Sequence, residues 1–92
     1  MVKGKRTLYE IYWEILTYSR NPKSFTSIIH RCNLNSKIGQ QHIGFLEEKG
    51  YLERIDEKGR SLLRTTPAAG PFLDAFKQMY LELFNEKPDF KL

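Results

Sequence analysis

A chain of 92 residues with 40% hydrophobic content has material for one small folded domain, too little for two, and too many apolar side chains for a disordered polar segment. No apolar run approaches the roughly 18 residues of a membrane span, and the basic N-terminus, MVKGKRTLYE, has no apolar stretch of the kind a secretory signal needs. The single cysteine, Cys32, excludes an internal disulfide and favours a cytoplasmic protein, while the net charge of +4 is unevenly spread, +5 over residues 1–46 and −1 over residues 47–92, so the first half is the side suited to a polyanion.

Lys3, Lys5 and Arg6 make a short basic tail over residues 1–6. Leu8, Ile11, Tyr12, Ile15 and Leu16 then recur at three- and four-residue spacing, which predicts a helix over Thr7 to Ser19 with Glu10, Glu14 and Thr17 on the opposite face. Tyr9, Trp13 and Leu16 form a second apolar stripe beside the first. Arg20-Asn21-Pro22 ends this helix, because the residue before proline is pushed out of the helical region. Ser24 is suited to cap a short second helix, Phe25 to Arg31, with Ile28, Ile29 and Cys32 facing inward. Asn35 is suited to cap a third, Ser36 to Lys49, whose apolar residues Leu34, Ile38, Ile43, Phe45 and Leu46 are expected to face a core. Gly50 stands where a left-handed terminator belongs. Gly39 and Gly44 each weaken that helix by about 1 kcal/mol relative to alanine. Close approach of the backbone to a neighbouring helix or to a ligand is the usual reason for such a glycine.

After Gly50 the period changes. Tyr51–Ile55 and Ser61–Thr66 have strand composition, and Asp56-Glu57-Lys58-Gly59-Arg60 between them reads as a hairpin loop. An isolated hairpin is marginal in water, so this one must lean on the helices. Thr66-Pro67 resembles a cap followed by proline at the first helical position, but Pro71 then sits too deep for the same helix. The expectation is a turn over residues 67–70 and a last helix from Pro71 to Glu86. Phe72, Phe76, Met79 and Leu83 line one side of it, and Leu73, Phe76, Tyr80, Leu83 and Phe84 another, with Leu81 nearer the polar face.

The fold class is therefore mainly α with a two-stranded β-hairpin, in the order helix, helix, helix, strand, strand, helix. Two short helices joined by a tight turn, the second polar on its outer face, make a helix-turn-helix; the hairpin that follows makes it a winged helix. One domain covers residues 1–92, with the tail over 1–6, the winged-helix core over 7–66 and a C-terminal helix over 67–88. The polar face of the third helix carries Ser36, Lys37, Gln40 and Gln41. The wing carries Arg54, Lys58, Arg60 and Arg64, and Lys23 and Ser24 stand at the start of the second helix. On the residues alone, each of these sets can also be read as a solvated surface without further role.

The turn NLNS (33–36), the run FLEEKGYLE (45–53) and RTTPAAG (64–70) carry a resemblance. Residues 7–84 resemble the small archaeal winged helix-turn-helix DNA-binding proteins that dimerise through a C-terminal helix. FLEEKGYLE is shared by many winged-helix families, bacterial and archaeal regulators among them, so it speaks to fold more than to role. Relatives usually have a TEKG or TPAG type of step into the last helix; this chain has one more residue and then Pro71. The resemblance implies that the third helix enters the major groove of double-stranded DNA. Ser36 and Lys37 would then lie where backbone N–H groups favour phosphate, and Gln40 and Gln41 where a glutamine can pair with adenine. Lys58 and Arg60 would reach a phosphate or a narrow minor groove, and Lys23 and Ser24 the backbone.

A helix serving one small core needs a single apolar stripe. The first and last helices each show two, which points to a homodimer interface of Tyr9, Trp13, Phe72, Phe76, Met79, Tyr80, Leu83 and Phe84; the alternative is a monomer in which hairpin and helices cover them. His30 and Cys32 make a lone H-x-C, and His42 stands apart, short of the four ligands of a structural zinc site. No phosphate-binding loop, dinucleotide fingerprint or nucleophile elbow is present, so neither a metal nor a cofactor nor an enzyme is expected. The leading expectation is a sequence-specific transcription regulator. Close to it stands an architectural, chromatin-like DNA binder, and from another class a winged-helix protein–protein module.

Overall fold

Each of the first three helices begins where a short polar side chain can accept an orphan backbone N–H. In the computed structural model, which describes residues 6–85, α1 runs Leu8–Tyr18, α2 Phe25–Arg31 and α3 Ser36–Glu48. Thr7 and Glu10 close a reciprocal capping box at α1, the Glu10 N–H donating to Thr7 Oγ1 at 3.1 Å and the Thr7 N–H to Glu10 Oε1 at 2.7 Å. Ser24 Oγ accepts from the Ser27 N–H at 3.1 Å, and Asn35 Oδ1 from the Ile38 N–H at 2.8 Å. The chain leaves α3 through Gly50 at φ +80°, the expected left-handed exit.

The hairpin is tighter than the expected five-residue loop. β1 (Leu52–Glu57) and β2 (Arg60–Thr65) are antiparallel, paired from Leu52 opposite Thr65 to Glu57 opposite Arg60. Only Lys58 and Gly59 remain as the turn, at φ 52° and 78°, the two positive values that a type I′ turn needs to match the twist of the strands. Lys23 adds a short third rung. Its N–H donates to the Leu63 carbonyl at 2.9 Å, and the Leu63 N–H donates back at 2.8 Å. After β2 a 3₁₀ turn, Pro67–Ala69, absorbs the first proline, and α4 (Gly70–Phe84) starts with Pro71 in its first turn, where a missing N–H is harmless. Asn85 at φ 55° caps α4, whose last residue, Phe84, is two short of the expected Glu86; residues 86–88 of the expected C-terminal segment lie outside the described residues.

The core joins Ile15 and Leu16 of α1, Ile28 of α2, Ile43 and Leu46 of α3, and Leu52 and Leu63 of the hairpin. Cys32 is fully buried among them, filling a gap as a small apolar group. Burial pushes its thiol up to about 12, so it stays protonated and unreactive at neutral pH.

Two inward assignments change. Ile38 and Phe45 are exposed rather than buried, because Gly39, Ile43 and Leu46 take the core side of α3. Phe45 instead stacks on Tyr12 of α1, ring centroids 5.4 Å apart. Glu14 lies buried, only 6% exposed, although helical spacing alone puts it on the outer face of α1. Its carboxylate is ion-paired with Arg6, whose Nη2 also donates to the Cys32 carbonyl at 2.6 Å. A buried acid needs such a partner. Arg6 is therefore a brace between α1 and the turn after α2, not part of a loose tail; Lys3 and Lys5 lie outside the described residues.

Candidate nucleic-acid interface

The thirteen residues of α3 divide into a buried side and an open side. At 100° per residue, Gly39, Ile43 and Leu46 cluster on the core side, which leaves Lys37, Gln41, Gly44 and Glu48 pointing furthest out, with Ser36, Gln40 and Glu47 turned towards the hairpin. Ser36, Lys37, Gln40 and Gln41 are all exposed. The last three thus offer one ammonium and two amide groups on about one and a half turns of helix. Pressing α3 onto the core is helped by Gly39, where a Cβ would meet Ile29 Cγ2 at 2.4 Å. That contact lets α2 and α3 approach closely and answers one of the two glycines in α3.

The four wing residues separate into two kinds. Directly paired residues share a face of the hairpin, so Arg54 lies on the side of Leu63 and Ser61, and Arg64 on the side of Glu53. Arg54 is bound to Glu47 of α3, Nη2 to Oε1 at 2.9 Å and Nε to Oε2 at 3.2 Å. Arg64 is bound to Glu53 across the strands at 2.6 Å. Lys58 and Arg60 stand exposed at and beside the turn. The tip thus offers two open cations, while the other two arginines tie the hairpin to α3 and to itself. Between α3 and the hairpin lies a cleft of about 210 Å³, lined by Phe25, Gln40, Ile43, Gly44, Glu47 and Arg54.

Ser24 is committed to capping α2, and the Lys23 ammonium lies 4.8 Å from the centre of the Tyr18 ring while also donating to the Asn21 carbonyl at 3.2 Å. Arg31, not among the residues singled out from the sequence, approaches the same ring at 5.8 Å. Two cations gathered at one aromatic ring hold positive charge at a fixed place. No local pattern reveals this, because Tyr18 comes from a different helix. Its hydroxyl lies 2.6 Å from Ser27 Oγ.

His42 packs edge-on against Tyr12 at 5.5 Å, and its pKa is lowered by burial and, less, by the nearby Arg6 charge. Among the described residues no three His, Cys, Asp or Glu side chains lie close enough to share a metal ion, and no helix is long and apolar enough to cross a membrane.

The residues expected at a dimer interface also divide. Phe76 and Tyr80 are buried within the single chain, in a cluster with Trp13 and Phe72 in which Trp13 and Phe76 stack at 5.2 Å. Phe76 and Tyr80 are buried without a second copy, while Trp13 and Phe72 stay half-buried. Tyr9, Met79, Leu83 and Phe84 remain exposed, Leu83 by 66%.

These features define a winged helix-turn-helix protein, and the chain belongs to that family: the family model described as winged helix-turn-helix matches residues 5–82. Among solved structures it is similar to Sso10a-2, a DNA-binding protein from Sulfolobus solfataricus, at 20% identity over 87% of each chain with a TM-score of 0.71. It is similar also to SSV1 F-93, at 15% identity over 87% of this chain and 97% of that one, TM-score 0.59. A third likeness is to the PcaV transcriptional regulator from Streptomyces coelicolor, at 18% identity over 87% of this chain and 63% of that one, TM-score 0.57. No curated protein sequence matches. At these identities the likeness is one of fold, and it agrees with the resemblance carried by NLNS, FLEEKGYLE and RTTPAAG.

Proposed function

We propose that this chain is a sequence-specific double-stranded DNA-binding protein, a transcription regulator that acts as a homodimer and not as an enzyme. In this reading α3 enters the major groove, and the hairpin tip follows the backbone or minor groove. The observation that carries it is the open face of α3: Lys37, Gln40 and Gln41 are exposed with no hydrogen bond or ion pair among the described residues, while Glu47, at the far end, has its charge offset by Arg54. Lys58 and Arg60 at the tip, and Lys23 and Arg31 around Tyr18, add positive charge for phosphates. The similarity to a protein described as DNA-binding and to one described as a transcriptional regulator supports the same reading. A cytoplasmic location goes with it.

The test separates base reading from backbone gripping. Replacing Lys37 and Gln41 together by alanine weakens binding to a preferred duplex more than to random DNA. Replacing Lys58 and Arg60 weakens both and flattens the salt dependence. Equal losses on every sequence for the first pair would leave an architectural binder. Wild-type protein that passes through a duplex-DNA column unretained at low salt would leave the protein–protein module.

A further inference from the structure

Glycine inside a helix is unfavourable relative to alanine, because it gives up more conformational freedom on folding and packs nothing. Two such residues in one helix therefore call for two explanations. Gly39 has one in Ile29, which occupies the space its Cβ would need. Gly44 has none inside the chain. A Cβ built there meets nothing within 4 Å, the residue is exposed, and its φ is not among the positive values that would demand glycine. Neither packing nor backbone geometry accounts for it.

Its place supplies the account. Gly44 lies one turn beyond Gln40 and less than a turn beyond Gln41, between these amides and the Glu47–Arg54 pair, and it forms part of the wall of the cleft between α3 and the hairpin. On a helix whose neighbouring positions carry long side chains, a bare residue leaves a notch about one side chain deep. Opposite charges at the C-terminal end of that wall, on Glu47 and Arg54, offset one another, which leaves the exposed Glu48, one turn beyond Gly44, as the acidic limit of the contact face.

We infer that Gly44 is a specificity-setting contact position of α3, where the missing side chain lets a strand of a DNA duplex lie directly against the helix backbone at the mouth of the cleft. The inference rests on the DNA-binding reading and adds to it the depth to which the groove must accept the helix. It treats the glycine as a gap kept for the ligand, and so gives opposite signs to stability and binding when the gap is filled.

The experiment uses the full chain and a duplex selected by the wild type from a random-sequence pool. Gly44→Ala is expected to raise Tm by a few degrees, since alanine fits the open space and favours the helix. The same change weakens affinity for the selected duplex by about tenfold, the scale of one good base contact, and Gly44→Leu weakens it further. Alanine and leucine variants that bind the selected duplex as well as the wild type overturn the inference and leave the DNA-binding reading standing. A lowered Tm for Gly44→Ala also overturns it, because the position would not then be open. A wild type that selects no duplex removes the DNA-binding reading, and the inference with it.

Discussion

Arg54 on the hairpin and Glu47 on α3 form a two-pronged ion pair, 2.9 Å at one prong and 3.2 Å at the other, that joins the two elements beside the cleft they line. Both side chains keep substantial exposure, 50% and 28%, so the pair is worth less than about 1 kcal/mol of stability. Its larger effect is on charge. Glu47→Gln is expected to leave Tm nearly unchanged, to free Arg54 for a phosphate, and to tighten duplex binding several-fold at low salt. The plot of log affinity against log salt should steepen by roughly 0.9 for the one added phosphate contact. Arg54→Ala should shift affinity the other way. Fluorescence anisotropy across a salt series checks both, and unchanged affinity and slope in both variants would show that neither side chain lies near a phosphate in the complex.

Glu14 makes stability depend on pH in an unusual direction for an acid. Burial raises its pKa above the ordinary 4.5, against the opposing pull of Arg6. The folded state then holds the proton more tightly than the unfolded chain, so the stability linked to this group is fully present below the unfolded pKa and is lost as pH rises through the folded one. Glu14→Gln removes the titration. Its Tm should therefore gain on that of the wild type as pH rises from about 4.5 towards neutrality, measured by thermal unfolding in a buffer series. A difference that shrinks over that interval would mean that Arg6 dominates and the carboxylate is held ionised.

Gly39→Ala tests the close approach of α2 and α3. The added methyl would overlap Ile29 Cγ2, on a stiff β-branched side chain, and overpacking costs about 1–3 kcal/mol, with so close an overlap towards the upper end and above the roughly 1 kcal/mol alanine returns in helix propensity. Tm should fall, the opposite of the change at Gly44. Urea unfolding of the two variants side by side gives the comparison, and equal rises in both would show that α2 can shift to make room.

The proposed homodimer would use the apolar surface that the single chain leaves uncovered at the end of α4. Met79 and Leu83 are 48% and 66% exposed and one turn apart. Met79→Glu with Leu83→Glu should convert the proposed homodimer to a monomer of unchanged helix content, as read by light scattering and circular dichroism. Wild-type protein that already runs as a monomer at micromolar concentration would end the dimer reading.

The helix starts were legible because capping is local. Ser24 and Asn35 declare themselves by residue type and position, and so does Gly50 at the end of α3. The buried side of Glu14 was not legible, since the residue that permits it, Arg6, lies outside α1 and its apolar periodicity. Gly39 and Gly44 look alike in a sequence, and only the neighbouring helix tells them apart. The pairing of Arg64 with Glu53 was within reach. Taking Lys58-Gly59 as a two-residue type I′ turn sets the register and places those residues opposite each other. A five-residue loop hides the relation.

The paired backbone bonds between Lys23 and Leu63 set a further constraint. They fasten the segment entering α2 to the hairpin through main-chain atoms, so the spacing of these parts is held by backbone hydrogen bonds and not by side-chain torsions. A duplex gripped by both would meet a caliper of preset opening. Little ordering would remain to be done on contact, and discrimination would fall on the width and curvature of the DNA as well as on its bases.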